Sequence, residues 1–176
     1  TGMPRMDSLT QHYSRSASLP SREGKKRVLV MTAKKPGFTP EQTTVTLKSL
    51  QDMKAYFATR PDIDVIWRVT KQLDIDLDVE NHLKELDSLD LVRVLEHVDA
   101  VISTPSTALL EAMLMNRPAA ALDYHNVPRF VETAWTISAA TQIDPIVNEL
   151  LNPSSAKMAY QHERLADTLV LQPAAP

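Results

Sequence analysis

The stretch Asp99–Tyr124, DAVISTPSTALLEAMLMNRPAAALDY, decides how this chain is read. Asp99–Ser103 is an apolar run of buried-strand length, and Ala119–Leu122 is a second one. Between them lie a hydroxyl-rich turn, Ser103-Thr104-Pro105-Ser106-Thr107, and an almost wholly apolar helix, Ala108–Met115, with one acid in it. Thr104 is suited to cap that helix and Pro105 to fill its first position. The amides of Ser106 and Thr107 would then point outward beside their own hydroxyls, an arrangement that favours an anion such as phosphate. In a parallel α/β sheet a turn of this kind lies outside the carboxyl end of a strand, where such sheets bind ligands. A helix apolar nearly all round is a buried helix. A carboxylate inside it is costly unless it is paired or hydrogen-bonded, so Glu111 is the residue most in need of a functional explanation.

On either side the chain alternates between strand and helix patterns. Arg27–Ala33 reads as a buried strand, and Lys34-Lys35-Pro36-Gly37 as a turn. Thr39-Pro40-Glu41-Gln42 is a capping box with proline at the first helical position. The helix it opens extends to about Thr59, with Leu47, Leu50, Met53 and Phe57 at helical spacing. Asp64–Thr70 is the next strand. Leu73–Leu86 alternates in its first half and is helix-like in its second. Asp87 or Ser88 caps a helix whose core face is Leu91, Val92, Leu95 and Val98. Trp135–Ala139 is a further strand, and Asp144–Leu151 and Lys157–Leu169 are helical. Such alternation predicts a doubly wound, mostly parallel, Rossmann-like α/β sheet over residues 27–170. Residues 1–26 are polar and rich in Ser, Arg and Pro and read as a flexible arm or linker, with residues 171–176 a tail.

Composition narrows the function. The chain has 176 residues, 43% of them hydrophobic and 23% charged, which suits one globular domain. A net charge of −3 gives no electrostatic case for a nucleic-acid partner. Cysteine is absent, which removes disulfides and thiolate metal sites and is compatible with the cytoplasm, the expected location. No apolar run approaches the roughly 20 residues of a membrane span. The only glycines are Gly2, Gly24 and Gly37, so neither G-x-G-x-x-G nor a Walker loop occurs. That disfavours dinucleotide-dependent dehydrogenases and P-loop kinases. A G-x-S-x-G elbow is missing too.

The central stretch resembles the C-terminal, nucleotide-sugar-binding domain of GT-B glycosyltransferases. It is also similar to the related glycerophosphotransferases of wall polymers and the UDP-N-acetylglucosamine 2-epimerases. The resemblance implies a GT-B half domain with Ser103, Thr104, Ser106 and Thr107 facing a diphosphate and Glu111 holding ribose hydroxyls. Two departures stand out: a second Glu common eight residues before the ribose one is Ser103 here, and the usual Gly before the basic-Pro pair is Asn116. The implied function is the donor-binding part of a glycosyltransferase or polyol-phosphate transferase, working with an acceptor-binding domain in cis or in trans. A UDP-sugar epimerase-like half domain and a non-catalytic nucleotide-binding module remain alternatives.

Other residues are candidates for the same site. Lys34 and Lys35 follow the first strand and could reach a phosphate at that edge, although exposed loop lysines are common. Arg68 and Lys71 flank the end of the Asp64–Thr70 strand, where the resembled glycerophosphotransferases carry a basic phosphate-binding segment; their His-Pro is missing here. Asp74, Asp76 and Asp78 alternate with apolar residues and are expected on one solvated strand face. The five histidines lack metal-ligand spacing, so no metal or other cofactor is expected. Only His125 falls near the ligand edge of the sheet. No catalytic base can be assigned from the sequence.

Overall fold

The computed structural model describes residues 24–35, 37–82, 90–126 and 128–169. A five-stranded sheet forms its centre: β1 Lys26–Met31, β2 Ile63–Arg68, β3 Ala100–Ser103, β4 Ala119–Leu122 and β5 Trp135–Ile137. The spatial order is β2-β1-β3-β4-β5 and every pairing is parallel. The helices are α1 Pro40–Ala58, α2 Leu73–Leu77, α3 Asp90–Glu96, α4 Ala108–Leu114, α5 Ile143–Leu151 and α6 Ser155–Thr168. This is the expected doubly wound α/β fold.

Both faces of the sheet are covered, which is why its strands read as nearly unbroken apolar runs. Val28, Val30, Ile102, Ala120 and Leu122 point to one face, where they meet Leu50, Met53 and Phe57 of α1 and Val147 and Leu150 of α5. Leu29, Met31, Val101, Ala119 and Ala121 point to the other, against Leu91 and Leu95 of α3, Leu109 and Met113 of α4 and Leu165 of α6. The alternation along each strand sorts side chains between two separate cores.

Local signals explain most boundaries. Thr39 caps α1, its hydroxyl accepting the Gln42 N–H at 3.2 Å, while the Gln42 side chain accepts the Phe38 N–H at 2.8 Å. Ser154 caps α6 by accepting the Lys157 N–H. The break after α4 is a Schellman-type cap: Asn116 has φ +56°, its N–H reaches Met113 O, and the Arg117 N–H reaches Ala112 O. Asn116 thus performs the left-handed turn for which Gly is the commonest choice. Asn116→Ala should lower stability by about 1–2 kcal/mol, the cost of a left-handed Ala, whereas Asn116→Gly should be near neutral. Urea denaturation of the two variants checks this.

Two expectations are corrected. The first half of Leu73–Leu86 is not a solvated strand; Leu73–Leu77 is a one-turn helix. Asp74 is buried rather than solvated, its carboxylate accepting the N–H groups of Gln72 and Ile75, while Asp76 and Asp78 are exposed. A side chain that satisfies backbone donors at a helix start competes with strand pairing, and here it wins. Secondly, Thr104 does not cap α4, which begins at Ala108 after a capless Thr107. The proposed caps Asp87 and Ser88 lie outside the described residues, as do most of the arm and the tail.

Candidate functional site

In a sheet of order 2-1-3-4-5 the direction of strand addition reverses between β1 and β3, and the chains leaving those strands diverge. The pairing register puts Arg68 of β2 beside Met31 of β1, and Met31 beside Ser103 of β3. The residues that follow these three positions therefore line up along one edge. Two hydrogen bonds close the reversal point. The Ala33 N–H donates to the Thr104 hydroxyl at 2.7 Å, and the Thr104 N–H donates to Met31 O at 3.2 Å. This explains the corrected cap: the Thr104 hydroxyl is held by the neighbouring loop. On the other flank Thr32 and Thr70 clip β1 to β2, the Thr70 N–H donating to the Thr32 hydroxyl at 2.8 Å and the Thr70 hydroxyl to Ala33 O at 2.7 Å.

A cavity of about 460 Å³ opens beside this join, on the α3 and α4 face of the sheet. Lys34, Arg68, Ser106, Thr107 and Glu111 all line it, together with Thr32, Thr70 and Leu91. The first five come from three separate parts of the chain, after β1, at the end of β2 and from the turn and helix after β3, and all are among the residues expected from the sequence. Lys34 and Thr107 are exposed, and Arg68 and Ser106 half-buried. Glu111 is 3% exposed, at the wall where α4 packs on the sheet. The cavity is therefore lined by two cations, two hydroxyls and one buried carboxylate. Such a set suits a ligand with an anionic part and a hydroxyl-bearing part.

The remaining candidates fall elsewhere. Ser103 is fully buried and braces the turn from behind, its hydroxyl donating to Thr104 O at 2.8 Å and lying 3.2 Å from the Ser106 hydroxyl. Thr104 is buried in the join. Lys71 is exposed and lines neither cavity at this edge. Lys35 lines a second cavity, of about 190 Å³, on the α1 face of the same edge, with its Nζ 5.8 Å from the Phe38 ring centre.

That second cavity was not anticipated, although His125 was. Its walls are Phe38, Gln42, Thr46 and Ser49, from α1 and the loop before it, and Leu122, Tyr124 and His125, from β4 and beyond. Ala33 borders both cavities, and Thr104 and Pro105 stand on this side of the join. His125 Nε2 lies 3.2 Å from the Thr46 hydroxyl. The Tyr124 hydroxyl donates to Asp52 at 3.0 Å, and Lys48 pairs with the same carboxylate. Burial pushes the Tyr124 phenol well above its ordinary pKa, and the Asp52 carboxylate adds to the shift. Tyr124 is thus a fixed neutral donor tying the loop after β4 to α1. The sequence signal for this site lay in the i, i+4 and i+7 spacing of Gln42, Thr46 and Ser49, which share one side of α1.

Among the described residues no cluster of three or more His, Asp or Glu side chains could hold a metal ion, and no helix is long and apolar enough to cross a membrane.

No protein-family model matches the chain, and no curated protein matches it by sequence. Solved structures do resemble it. The wall teichoic acid polymerase TagF superposes with a TM-score of 0.52 at 12% identity, over 94% of this chain and 42% of TagF. TarM gives 0.51 at 13% identity, over 90% of this chain and 34% of TarM. The likeness is one of fold, that of a Rossmann-like α/β domain. The chain spans less than half the length of either structure.

Proposed function

We propose that the 460 Å³ cavity binds the nucleoside-diphosphate part of an activated donor, making this the donor-binding domain of a glycosyltransferase or polyol-phosphate transferase. The observation that carries the reading is the convergence of Lys34, Arg68, Ser106, Thr107 and Glu111 on one cavity at the strand-reversal point. Lys34 and Arg68 supply positive charge for a diphosphate, and the Ser106 and Thr107 hydroxyls donate to its oxygens. Glu111 accepts from the hydroxyls of the ribose. Glycosyl transfer breaks the bond from the sugar to the diphosphate, which departs, whereas polyol-phosphate transfer breaks the bridge between the two phosphates and the nucleoside monophosphate departs. In either case cations and hydroxyls already fixed there stabilise the negative charge growing on the leaving phosphate without a metal. The acceptor and the base that activates it belong to another domain, in cis or in trans.

Isothermal titration with UDP, CDP, GDP and ADP tests this reading. At least one should bind and raise the melting temperature, since ligand at 100 times its Kd adds about 2.7 kcal/mol. Affinity should fall with added salt, because two exposed or half-exposed cations contact the ligand. Lys34→Ala should weaken binding roughly fivefold with no loss of folding, the scale of an exposed ion pair worth about 1 kcal/mol. Absence of binding by all four nucleotides at millimolar concentration overturns the proposal, as does tight binding that Lys34→Ala and Arg68→Ala together leave unchanged.

A further inference from the structure

The phosphate-binding reading leaves the 190 Å³ cavity on the opposite sheet face unused. It is not a by-product of loose packing. Gly37 approaches the first turn of α1 so closely that an added Cβ would lie 2.7 Å from Thr43 N and 2.8 Å from Gln42 Cβ. The loop before α1 is thereby held against the helix, with Phe38 beyond it at the rim. Phe38 is 87% exposed, an unusual placement for a large apolar ring beside a cavity that is itself mostly apolar. Hydrogen-bonding side chains interrupt that apolar wall at Gln42, Ser49, Tyr124 and His125. No carboxylate lines the cavity, and its one cation, Lys35, is exposed.

We propose that this cavity is a second subsite, which takes a compact neutral polyhydroxylated group, a small polyol or a single sugar ring, joined to the diphosphate across the Ala33–Thr104 join. The proposal rests on the nucleoside-diphosphate reading of the larger cavity. Three features favour that occupant. The apolar faces of Phe38 and Leu122 suit the C–H face of a polyol or pyranose, while the amide, hydroxyl and imidazole groups suit its hydroxyls. No carboxylate lines the cavity to pair with an amino sugar, and its single cation, Lys35, is solvent-exposed and screened, a weak partner for a sugar carboxylate. Its volume is less than half that of the phosphate cavity, which excludes a disaccharide. Both cavities share Ala33, so one ligand reaches both by passing over the join between β1 and β3. Phe38 and His125 then determine which group is accepted, and neither belongs to the phosphate cavity.

Two measurements on the folded protein separate this proposal from the reading beneath it. In calorimetry, UDP, UDP-glucose, CDP and CDP-glycerol are compared on the unmodified chain and on Phe38→Ala and His125→Ala. The expected result is that a donor binds at least tenfold more tightly than its own nucleoside diphosphate. Each variant should abolish that advantage and leave nucleoside-diphosphate affinity within twofold. In parallel, free glucose and free glycerol are titrated to several hundred millimolar while amide NMR shifts are followed. Shifts should concentrate at Phe38, Gln42, Ser49 and His125, with none at Ser106 or Glu111. If the nucleotides bind but the donors gain nothing and the free sugars shift none of these amides, the second subsite is overturned and the phosphate reading survives. If no nucleotide binds but the free sugars shift those amides, the phosphate reading falls, and the smaller cavity's affinity for a neutral polyhydroxylated group survives without its link to a diphosphate. Failure of both measurements overturns both.

Discussion

Gln161→Leu should lower the stability of this domain by about 2–6 kcal/mol, the cost of stranding two buried backbone groups at about 1–3 kcal/mol each. Gln161 is fully buried in α6, and its amide is spread across both sides of Pro118. Its Nε2 donates to Arg117 O at 2.9 Å, and its Oε1 accepts the Ala119 N–H at 3.0 Å. Leucine has a similar volume but neither group, so packing is largely kept while one carbonyl and one amide lose their partners. The loss is felt at the start of β4, where Pro118 O also accepts the Val101 N–H in the pairing with β3. At this size a loss of about 3 kcal/mol lowers the melting temperature by roughly 6–12 °C. Glu163→Leu, an exposed substitution half a turn away, should change stability by less than about 0.5 kcal/mol and serves as the control. Equal melting temperatures for Gln161→Leu and the parent would show that α6 is not fastened through this amide. A saturating ligand in the 460 Å³ cavity should recover part of the lost melting temperature, since it binds the folded state alone.

The fold was legible because both faces of the sheet are buried. Val28–Met31, Ala100–Ile102 and Ala119–Leu122 must be apolar at every position, and such short runs between helices of amphipathic pattern have few other readings. The capping signals at Thr39 and Ser154 concern neighbours within four residues, so sequence spacing alone placed the first. Thr104 misled for the complementary reason. Its hydroxyl satisfies the Ala33 N–H, 71 residues away in the chain, and no local pattern reports that competition. Asp74 shows the same limit at shorter range, for alternation with Ile75 and Leu77 has the period of a strand whether or not its carboxylate is spent on nearby amides. Of the residues lining the larger cavity, those at the strand ends and on the Ser106-Thr107 turn could be named because a parallel sheet gathers its carboxyl ends. Thr32 and Thr70 escaped notice, since a threonine at a strand end has many uses. The α1 wall of the smaller cavity was hidden within an ordinary amphipathic pattern, in which Gln42, Thr46 and Ser49 read as a polar flank.

Glu111→Gln should leave the fold intact and weaken nucleoside-diphosphate binding by about 1.5–3 kcal/mol, or roughly 10- to 150-fold, the range for a hydrogen bond to a charged acceptor. The side chain is 3% exposed, on a helix whose other central residues, Leu109, Leu110, Ala112, Met113 and Leu114, are all buried. An ionised carboxylate at such a place is expensive, and glutamine keeps its shape while removing the charge. If Glu111 exists to hold ligand hydroxyls, the substitution leaves the free protein folded and penalises the complex. If it exists to hold the core together through a charged partner, the penalty moves to folding, because breaking one side of a buried ion pair costs about 3–5 kcal/mol. Arg117 is the buried arginine at the end of the same helix, its Nε donating to Leu95 O at 2.6 Å, and it is the group to change in parallel. The two accounts thus move different quantities, the dissociation constant in one and the unfolding free energy in the other. A comparison of nucleoside diphosphate with its 2′-deoxy form adds a third reading: the parent should prefer the ribonucleotide, and Glu111→Gln should reduce that preference. A variant that melts far lower yet binds both nucleotides as the parent does, measured on the folded fraction, would remove Glu111 from the ligand site. Lys34, Arg68, Ser106 and Thr107 would then line a simple anion cavity with no means of reading a sugar.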